Sequence, residues 1–286
     1  YDYRRYDYKR SDLDGIYGQK VFTNFSRKTN LMYMLQGKRA FTLAYSEGFR
    51  APSLSELFLL HRSSYGITFQ GYPDLLPEKV KAIEVTYEHP HSNLWHWSIS
   101  LFHNQYENMI DFVYNFPVLA MNRNGVKSTG GEYQFRWKPF EKLNIKGSYA
   151  YLDIWDHEGN PILYRSTHRS QIYFNYKSKT ISVQLGFQGW SKQIYENFLV
   201  HNQCDQNENN ENNDCWIQND EKIIFPIREL PARVMPELIF SKVLNTYSGS
   251  LRISNLFDTK YELIQDFPMP GRTWQFTLTK TITKEL

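Results

Sequence analysis

Residues 181–188 read Ile-Ser-Val-Gln-Leu-Gly-Phe-Gln. Ile181, Val183, Leu185 and Phe187 are apolar, while Ser182, Gln184, Gly186 and Gln188 are small or polar. A repeat of two puts every second side chain on one face of an extended strand, whereas a helix needs a repeat near 3.6. The stretch is therefore a strand with one greasy face and one hydrophilic face. Trp97, Ile99 and Leu101 alternate in the same way with Ser98 and Ser100. So do Tyr133, Phe135 and Trp137 with Gln134 and Arg136, and Trp274, Phe276 and Leu278 with Gln275, Thr277 and Thr279. About a dozen such segments are expected, near 20–25, 31–36, 39–47, 81–89, 94–104, 109–115, 127–138, 142–154, 168–177, 180–191, 233–243, 247–255 and 272–282. The fold class is all-β, an antiparallel up-and-down meander.

The connections alternate in length. Those at 138–142, 177–180 and 244–247 are tight, while 48–79, 155–167 and 192–232 are long and irregular. Short turns at one rim and long loops at the other suit a membrane barrel. A soluble sandwich with its apolar faces turned inward would alternate as well, so periodicity leaves both open. Tyr and Trp near strand ends (Tyr87, Trp95, Tyr106, Tyr149, Tyr151, Trp155, Trp190, Trp274) favour the barrel, where aromatics form interfacial girdles. The plainer account is that aromatics simply favour strands.

The 286 residues are 16% aromatic and carry a net charge of +3. Disorder is excluded at this aromatic density, and Lys and Arg are dispersed among acids, so no nucleic-acid surface is expected. No apolar run approaches the ~18 residues of a spanning helix; a membrane location would require a barrel. No internal repeat stands out, and residues 1–286 read as a single domain. The chain opens on a strand-like Tyr1-Asp2-Tyr3-Arg4 without Met or leader, as expected of a piece of a longer precursor. Cys204 and Cys215 flank an Asn- and acid-rich tract and lack the partners of a zinc site. They read as a disulfide, the alternative being two free thiols; such a bond implies a compartment outside the reducing cytosol.

Two short boxes follow the strand at 39–47: Phe49-Arg50-Ala51-Pro52 and, after an aromatic and polar gap, Tyr72-Pro73-Asp74-Leu75. In wording and spacing they resemble the FRAP and NP-x-L boxes of TonB-dependent outer-membrane receptors, with Tyr72 in place of the usual Asn. Further stretches are similar to that family in the same order: FHNQYENMI at 102–110, NGVKSTGGEY at 124–133, YLD at 151–153 with GNP at 159–161, and NLFD at 255–258 with PMPGR at 268–272. The resemblance covers nearly the whole chain, although Leu286 stands where family members finish on an aromatic residue.

The resemblance implies the C-terminal half of a barrel of about twenty-two strands, open as supplied, whose plug domain and early strands lie outside this sequence. It implies a bacterial outer-membrane receptor, in contact with outer-membrane lipid, that imports a ferric siderophore, haem or cobalamin. The TonB–ExbB–ExbD complex would act through the plug. The competing functions are a passive pore and a secreted soluble binding domain.

His61 lies between the boxes, where haem receptors of this family carry an iron-ligating His, and a neutral imidazole suits that role. Tyr65, Phe69 and Tyr72 would pack on a flat ligand, although a loop His is more often only solvated. Arg50 and Glu56 are expected to be structural: in the family-like reading the box 49–57 packs into the barrel lumen near its outer mouth, where Arg50 pairs with an acid. No intrinsic cofactor and no resident metal site are expected: His89, His91 and His96 lack a completing ligand, and the acids Asp205, Glu208, Glu211 and Asp214 do not follow a calcium-loop order. No catalytic motif is present, and Ser166, His168 and Asn175 have nothing to orient them, so no enzyme activity is expected.

Overall fold

The computed structural model describes residues 2–11, 17–63, 66–90, 92, 94–113, 118–197, 217–219, 222–224 and 226–281. Eleven antiparallel strands form one sheet whose spatial order is the order along the chain. They are β1 (Lys28–Met34), β2 (Ala40–Arg50), β3 (Glu78–Pro90), β4 (Trp95–Glu107), β5 (Val126–Phe140), β6 (Leu143–Trp155), β7 (His168–Lys177), β8 (Ile181–Trp190), β9 (Arg233–Leu244), β10 (Tyr247–Ser254) and β11 (Thr273–Lys280). β1 and β11 are not paired with each other, so the sheet is an open wall.

Every second connection is short, and all the short ones lie at one end. The turn after β1 uses left-handed Gly37 and Lys38, at φ 75° and 62°, and Asn245 at φ 53° turns β9 into β10. Glycine and asparagine suit such turns because they tolerate positive φ at little steric cost.

The pairing register carries the two-faced pattern across the whole wall, because directly opposed residues share a face. One row runs Leu31–Leu43–Val85–Leu101–Gly131–Tyr151. Another runs Trp95–Trp137–Ile145–Phe174–Leu185–Leu238–Ile253–Trp274. The opposite face is hydrophilic, as in Thr86–Ser100–Glu132 and Ser98–Gln134–Ser148–Gln171–Gln188.

Among the described residues no second sheet covers these apolar rows. Leu31 is 69% exposed, Leu101 60% and Phe276 72%. The accessible surface is 20142 Å². A compact soluble protein of this mass would expose about 13,000 Å². An open single-layer wall exposes both of its faces, which accounts for the excess, and the described strands do not stack into a sandwich. On β9 the outward apolar run from Val234 to Phe240 spans about 20 Å at ~3.3 Å per residue, close to the ~25 Å apolar band of a membrane barrel.

Two expected meander strands pair elsewhere. The segment at 20–25 lies in a strand Tyr17–Ser26 that forms a hairpin with Asp2–Ser11, and 109–115 contributes Met109–Val113 to a separate four-stranded sheet. Alternation identifies a strand but not its partner. Two expected girdle aromatics, Tyr106 and Trp190, are on the hydrophilic face, in register with Val80 and with Arg169 and Arg233 respectively.

Candidate functional site

The long connections leave the sheet at the end opposite the short turns, and the first is not irregular. Ser53 caps a short helix, Leu54–Phe58, with a reciprocal pair of bonds: its Oγ accepts from Glu56 N at 3.2 Å, and Glu56 Oε2 accepts from Ser53 N at 2.7 Å. The same carboxylate receives Arg50 Nη1 at 2.9 and 3.0 Å. Arg50 Nη2 lies 3.3 Å from Glu78 Oε2, which also accepts from Ile110 N at 3.0 Å. One guanidinium thus joins the end of β2, the start of β3 and the loop helix. Burial pushes the Glu56 carboxyl up, but the Ser53 N–H and the Arg50 guanidinium outweigh it and hold it below the usual carboxylate range.

The helix seats Leu57 against Leu75, Ile110 and Ala120, with Phe22, Phe58 and Phe112 around them. Gly71 donates to Leu59 O at 2.7 Å and Tyr72 N to Glu56 O at 2.8 Å. A side chain at residue 71 would run into the backbone of Glu56, Leu57 and Phe58, so only glycine fits. Asn122 closes the arrangement: its Oδ1 accepts from Leu76 N at 2.8 Å, and its Nδ2 donates to Leu76 O and Asn108 O, both at 2.9 Å. The two Pro-containing boxes therefore form a packed cap over the strand ends.

Beside the cap, Leu60–Ser63, Gly66–Gln70, Val118–Arg123 and Met109–Val113 form the four-stranded sheet, with Val118 opposite Phe69 in a parallel pairing. Arg123 pairs with Asp111 of the same sheet at 3.2 Å and ties the sheet to the next connection through Asp156 at 3.1 Å. Asp156 also accepts from the N–H groups of Asn160 and Glu158 at 2.8 and 2.9 Å. Burial pushes its carboxyl up, and these hydrogen bonds with Arg123 bring it below its ordinary range.

A second cluster sits where β8 ends and β9 begins. Arg233 is 8% exposed and donates through Nη1 to Gln193 Oε1 at 3.0 Å; Gln193 Nε2 donates to Tyr164 O at 2.9 Å. The Arg233 guanidinium lies 5.1 Å from the Trp190 ring and 5.7 Å from that of Tyr261. An open groove of about 360 Å³ on the hydrophilic face is bounded by Glu132, Gln134, Arg169, Gln171, Gln188 and Trp190.

The expected ligand residues are partly brought together. His61 is exposed and pairs with Phe69 across the hairpin, while the Phe69 ring packs 5.7 Å from Phe112. Tyr72 is 51% exposed at the foot of that hairpin. Tyr65 lies outside the described residues, as do His91, the acids of 205–214 and the expected Cys204–Cys215 bond. Of the boxes, Ala51, Pro52 and Leu75 are buried, Pro73 is exposed, and Asp74 is exposed and ion-paired with Lys20 at 3.1 Å. Phe49 shares the face of Glu47 and meets Tyr6, with ring centroids 6.0 Å apart.

His89 stacks on Trp97 at 5.3 Å, and His96 is on the other face of the same hairpin. Among the described residues no three His, Cys, Asp or Glu side chains form a metal-binding group. Ser166 Oγ is turned to Ser191 O, His168 bonds the Tyr149 hydroxyl, and Asn175 donates to Asn144 O, so these three do not converge. Arg50 and Glu56, expected to be structural, form an ion pair, whereas Glu78, Asn122, Arg123 and Arg233 have roles that the sequence does not announce. The Ser53-x-x-Glu56 spacing was the one available signal.

Residues 1–218 match the family model described as TonB dependent receptor-like, beta-barrel. The chain belongs to the TonB-dependent receptor family, as the receptor-like boxes imply. Its fold is similar to that of a copper transporter, OprC, at 15% identity and TM-score 0.66, covering 94% of this chain and 40% of that one. The siderophore receptor PirA from Acinetobacter baumannii is 16% identical with TM-score 0.65, covering 90% and 41%. The FrpB iron transporter from Neisseria meningitidis is 12% identical with TM-score 0.61, covering 97% and 42%. This chain thus spans about two-fifths of the length of these structures. No curated protein matches its sequence.

Proposed function

We propose that this chain forms part of the wall and outer mouth of an outer-membrane importer for a small metal chelate. The observation that carries the reading is the eleven-stranded wall, apolar and uncovered on one face, hydrophilic on the other, with every long connection at one end. Such a wall is stable only with lipid on its greasy side, and the hydrophilic face then lines a lumen. Capped, packed loops at one rim suit ligand capture, and a passive pore has no need of them. Import would be energised by the TonB–ExbB–ExbD complex acting on a plug outside this chain.

A ferric siderophore is the favoured cargo class, ahead of haem and cobalamin. Relatives named as siderophore and iron receptors support the iron-chelate class. Growth of a deletion strain on a ferric siderophore, haem or cobalamin as sole source tests this directly. Loss of growth on one source, restored by the gene, is expected; unchanged growth on all of them defeats the reading. For haem, His61 is the candidate axial ligand, with Phe69 and Tyr72 nearby. His61→Ala should abolish the Soret shift on haem titration, and an unaltered shift removes haem ligation by His61.

A further inference from the structure

We infer that the short-turn rim between β8 and β11 holds the headgroup of an anionic phospholipid, received on the outward face by Lys242, Lys280 and Tyr247. The inference rests on the membrane-wall part of the proposed function and adds a lipid partner to it.

The register puts these residues on the greasy side of the wall. Ile181, Lys242, Gly249 and Leu278 form one row, and Leu244, Tyr247 and Lys280 form the next one toward the turns. Along β9 the outward residues are Val234, Pro236, Leu238 and Phe240, then Lys242; along β11 they are Trp274, Phe276 and Leu278, then Lys280. Both lysines thus stand where the apolar band ends, the depth at which a lysine stem lies on apolar surface and its ammonium reaches the headgroups. Two strands across and two residues along, their backbones are about 12 Å apart, within the joint reach of two extended side chains. Lys280 Nζ lies 5.4 Å from the centre of the Tyr247 ring, a contact that leaves its N–H groups free to donate. Gly249 leaves an open notch between Lys242 and Leu278: a Cβ there would meet only the edge of Phe276, at 4.0 Å.

The charge around them is one-sided. From the turn after β5 to the end of β11, the short-turn rim carries Lys138, Lys142, Lys177, Lys179, Lys242 and Lys280, all exposed, against one acid, Glu141. None of the six makes an ion pair among the described residues, whereas Lys20, Lys81 and Lys192 each do. At the long-loop end of the same outward face, Lys81 pairs with Glu107 at 2.8 Å and stands in register with Glu47. The outward lysine there has its counter-ion within the wall, and those at the short-turn end do not. Clustered cations beside a bilayer attract anionic lipid. A phosphodiester with acyl chains satisfies both halves of this surface: its charge meets Lys242 and Lys280, and its chains lie on Ile181, Phe240 and Leu278. A free phosphate would leave the apolar half unused, so the occupant assigned is the lipid.

The test uses the whole receptor carrying this chain, first floated with liposomes and then titrated in micelles. Native mass spectrometry reads the binding of phosphatidylglycerol, phosphatidylethanolamine and glycerol phosphate. At roughly fivefold per lysine, the wild type should hold phosphatidylglycerol about twentyfold more tightly than phosphatidylethanolamine. Lys242→Gln combined with Lys280→Gln should lose roughly that factor for phosphatidylglycerol and leave phosphatidylethanolamine within about twofold. Lys242→Arg combined with Lys280→Arg keeps the charge and should keep the preference, as should Lys81→Gln at the other end. Flotation without a preference for phosphatidylglycerol, or unchanged affinity in the double Gln variant, overturns the site and leaves the wall standing. Loss of the preference in Lys81→Gln as well overturns the assignment to this rim. Displacement of the lipid by an equal concentration of glycerol phosphate makes the occupant a free phosphate and overturns the lipid assignment. A receptor that does not float with liposomes defeats the membrane wall and the site together.

Discussion

Replacing Glu56 by Gln keeps the size of the side chain and removes its charge, so it isolates what the carboxylate contributes to the mouth cap. Glu56 accepts two contacts from Arg50 Nη1, at 2.9 and 3.0 Å, and one from Ser53 N at 2.7 Å. Its side chain is 10% exposed, while that of Arg50 is 44% exposed. Breaking a fully buried pair costs about 3–5 kcal/mol, and a hydrogen bond to a charged group is worth about 1.5–3 kcal/mol. Because water reaches Arg50 and Glu78 still pairs with it, the lower figure applies, about 2 kcal/mol, or roughly a thirtyfold rise in the open fraction of the cap.

The assay is limited proteolysis of the receptor in micelles, reading cleavage within 51–77 under conditions where cleavage tracks the open population. Glu56→Gln should be cut roughly thirtyfold faster there and no faster elsewhere. A rise below about threefold would refute the claim that this carboxylate holds the cap. The pH dependence follows from the sign of the shift. The folded pKa of Glu56 lies below its unfolded value, so the contribution is full above the unfolded pKa and is lost as pH falls through the folded one. Acidification should therefore open the wild-type cap and leave the Gln variant's cleavage rate unchanged.

Three further outcomes are expected. Leu57→Ala removes a fully buried side chain facing Leu75, Ile110 and Ala120 and should destabilise the cap by about 2–5 kcal/mol, seen as protease sensitivity confined to 51–77 and 108–125. Gly71→Ala should cost about 1–3 kcal/mol in the same assay, because the atoms in its way are backbone rather than movable side chains. Asp156→Asn should loosen the link from Arg123 to the 156–160 turn, and acid should loosen it in the wild type as the depressed carboxyl protonates; backbone amide exchange at 156–160 reads both.

The wall was legible because its signal is local. Ile181 to Gln188 and Trp97 to Leu101 each declare a period of two, and the register extends the same parity from strand to strand. Parity also separates the strand-end aromatics by face. Counting on from outward Phe187 turns Trp190 inward, and counting on from Leu101 turns Tyr106 inward. The mouth was less legible. Ser53-x-x-Glu56 announces a helix start and Arg50 an ion pair with an acid, but Glu78 takes its partners from Arg50 and Ile110, and Asn122 reaches Leu76 across 46 residues. Such contacts depend on how strand ends are brought together, which alternation does not encode. The surroundings of Arg233 are further still from the sequence pattern: Trp190, Gln193 and Tyr261 meet it only in the fold.

The most direct measurement places nitroxide labels one at a time at residues 98, 99, 100 and 101 of β4 in the receptor reconstituted into liposomes, and compares relaxation by oxygen, which concentrates in lipid, with relaxation by a polar nickel chelate. Ile99 and Leu101 should give oxygen-accessible labels and Ser98 and Ser100 should not, a period of two with the greasy face toward lipid. Equal oxygen accessibility at all four residues, or the opposite alternation, would contradict the membrane-wall account.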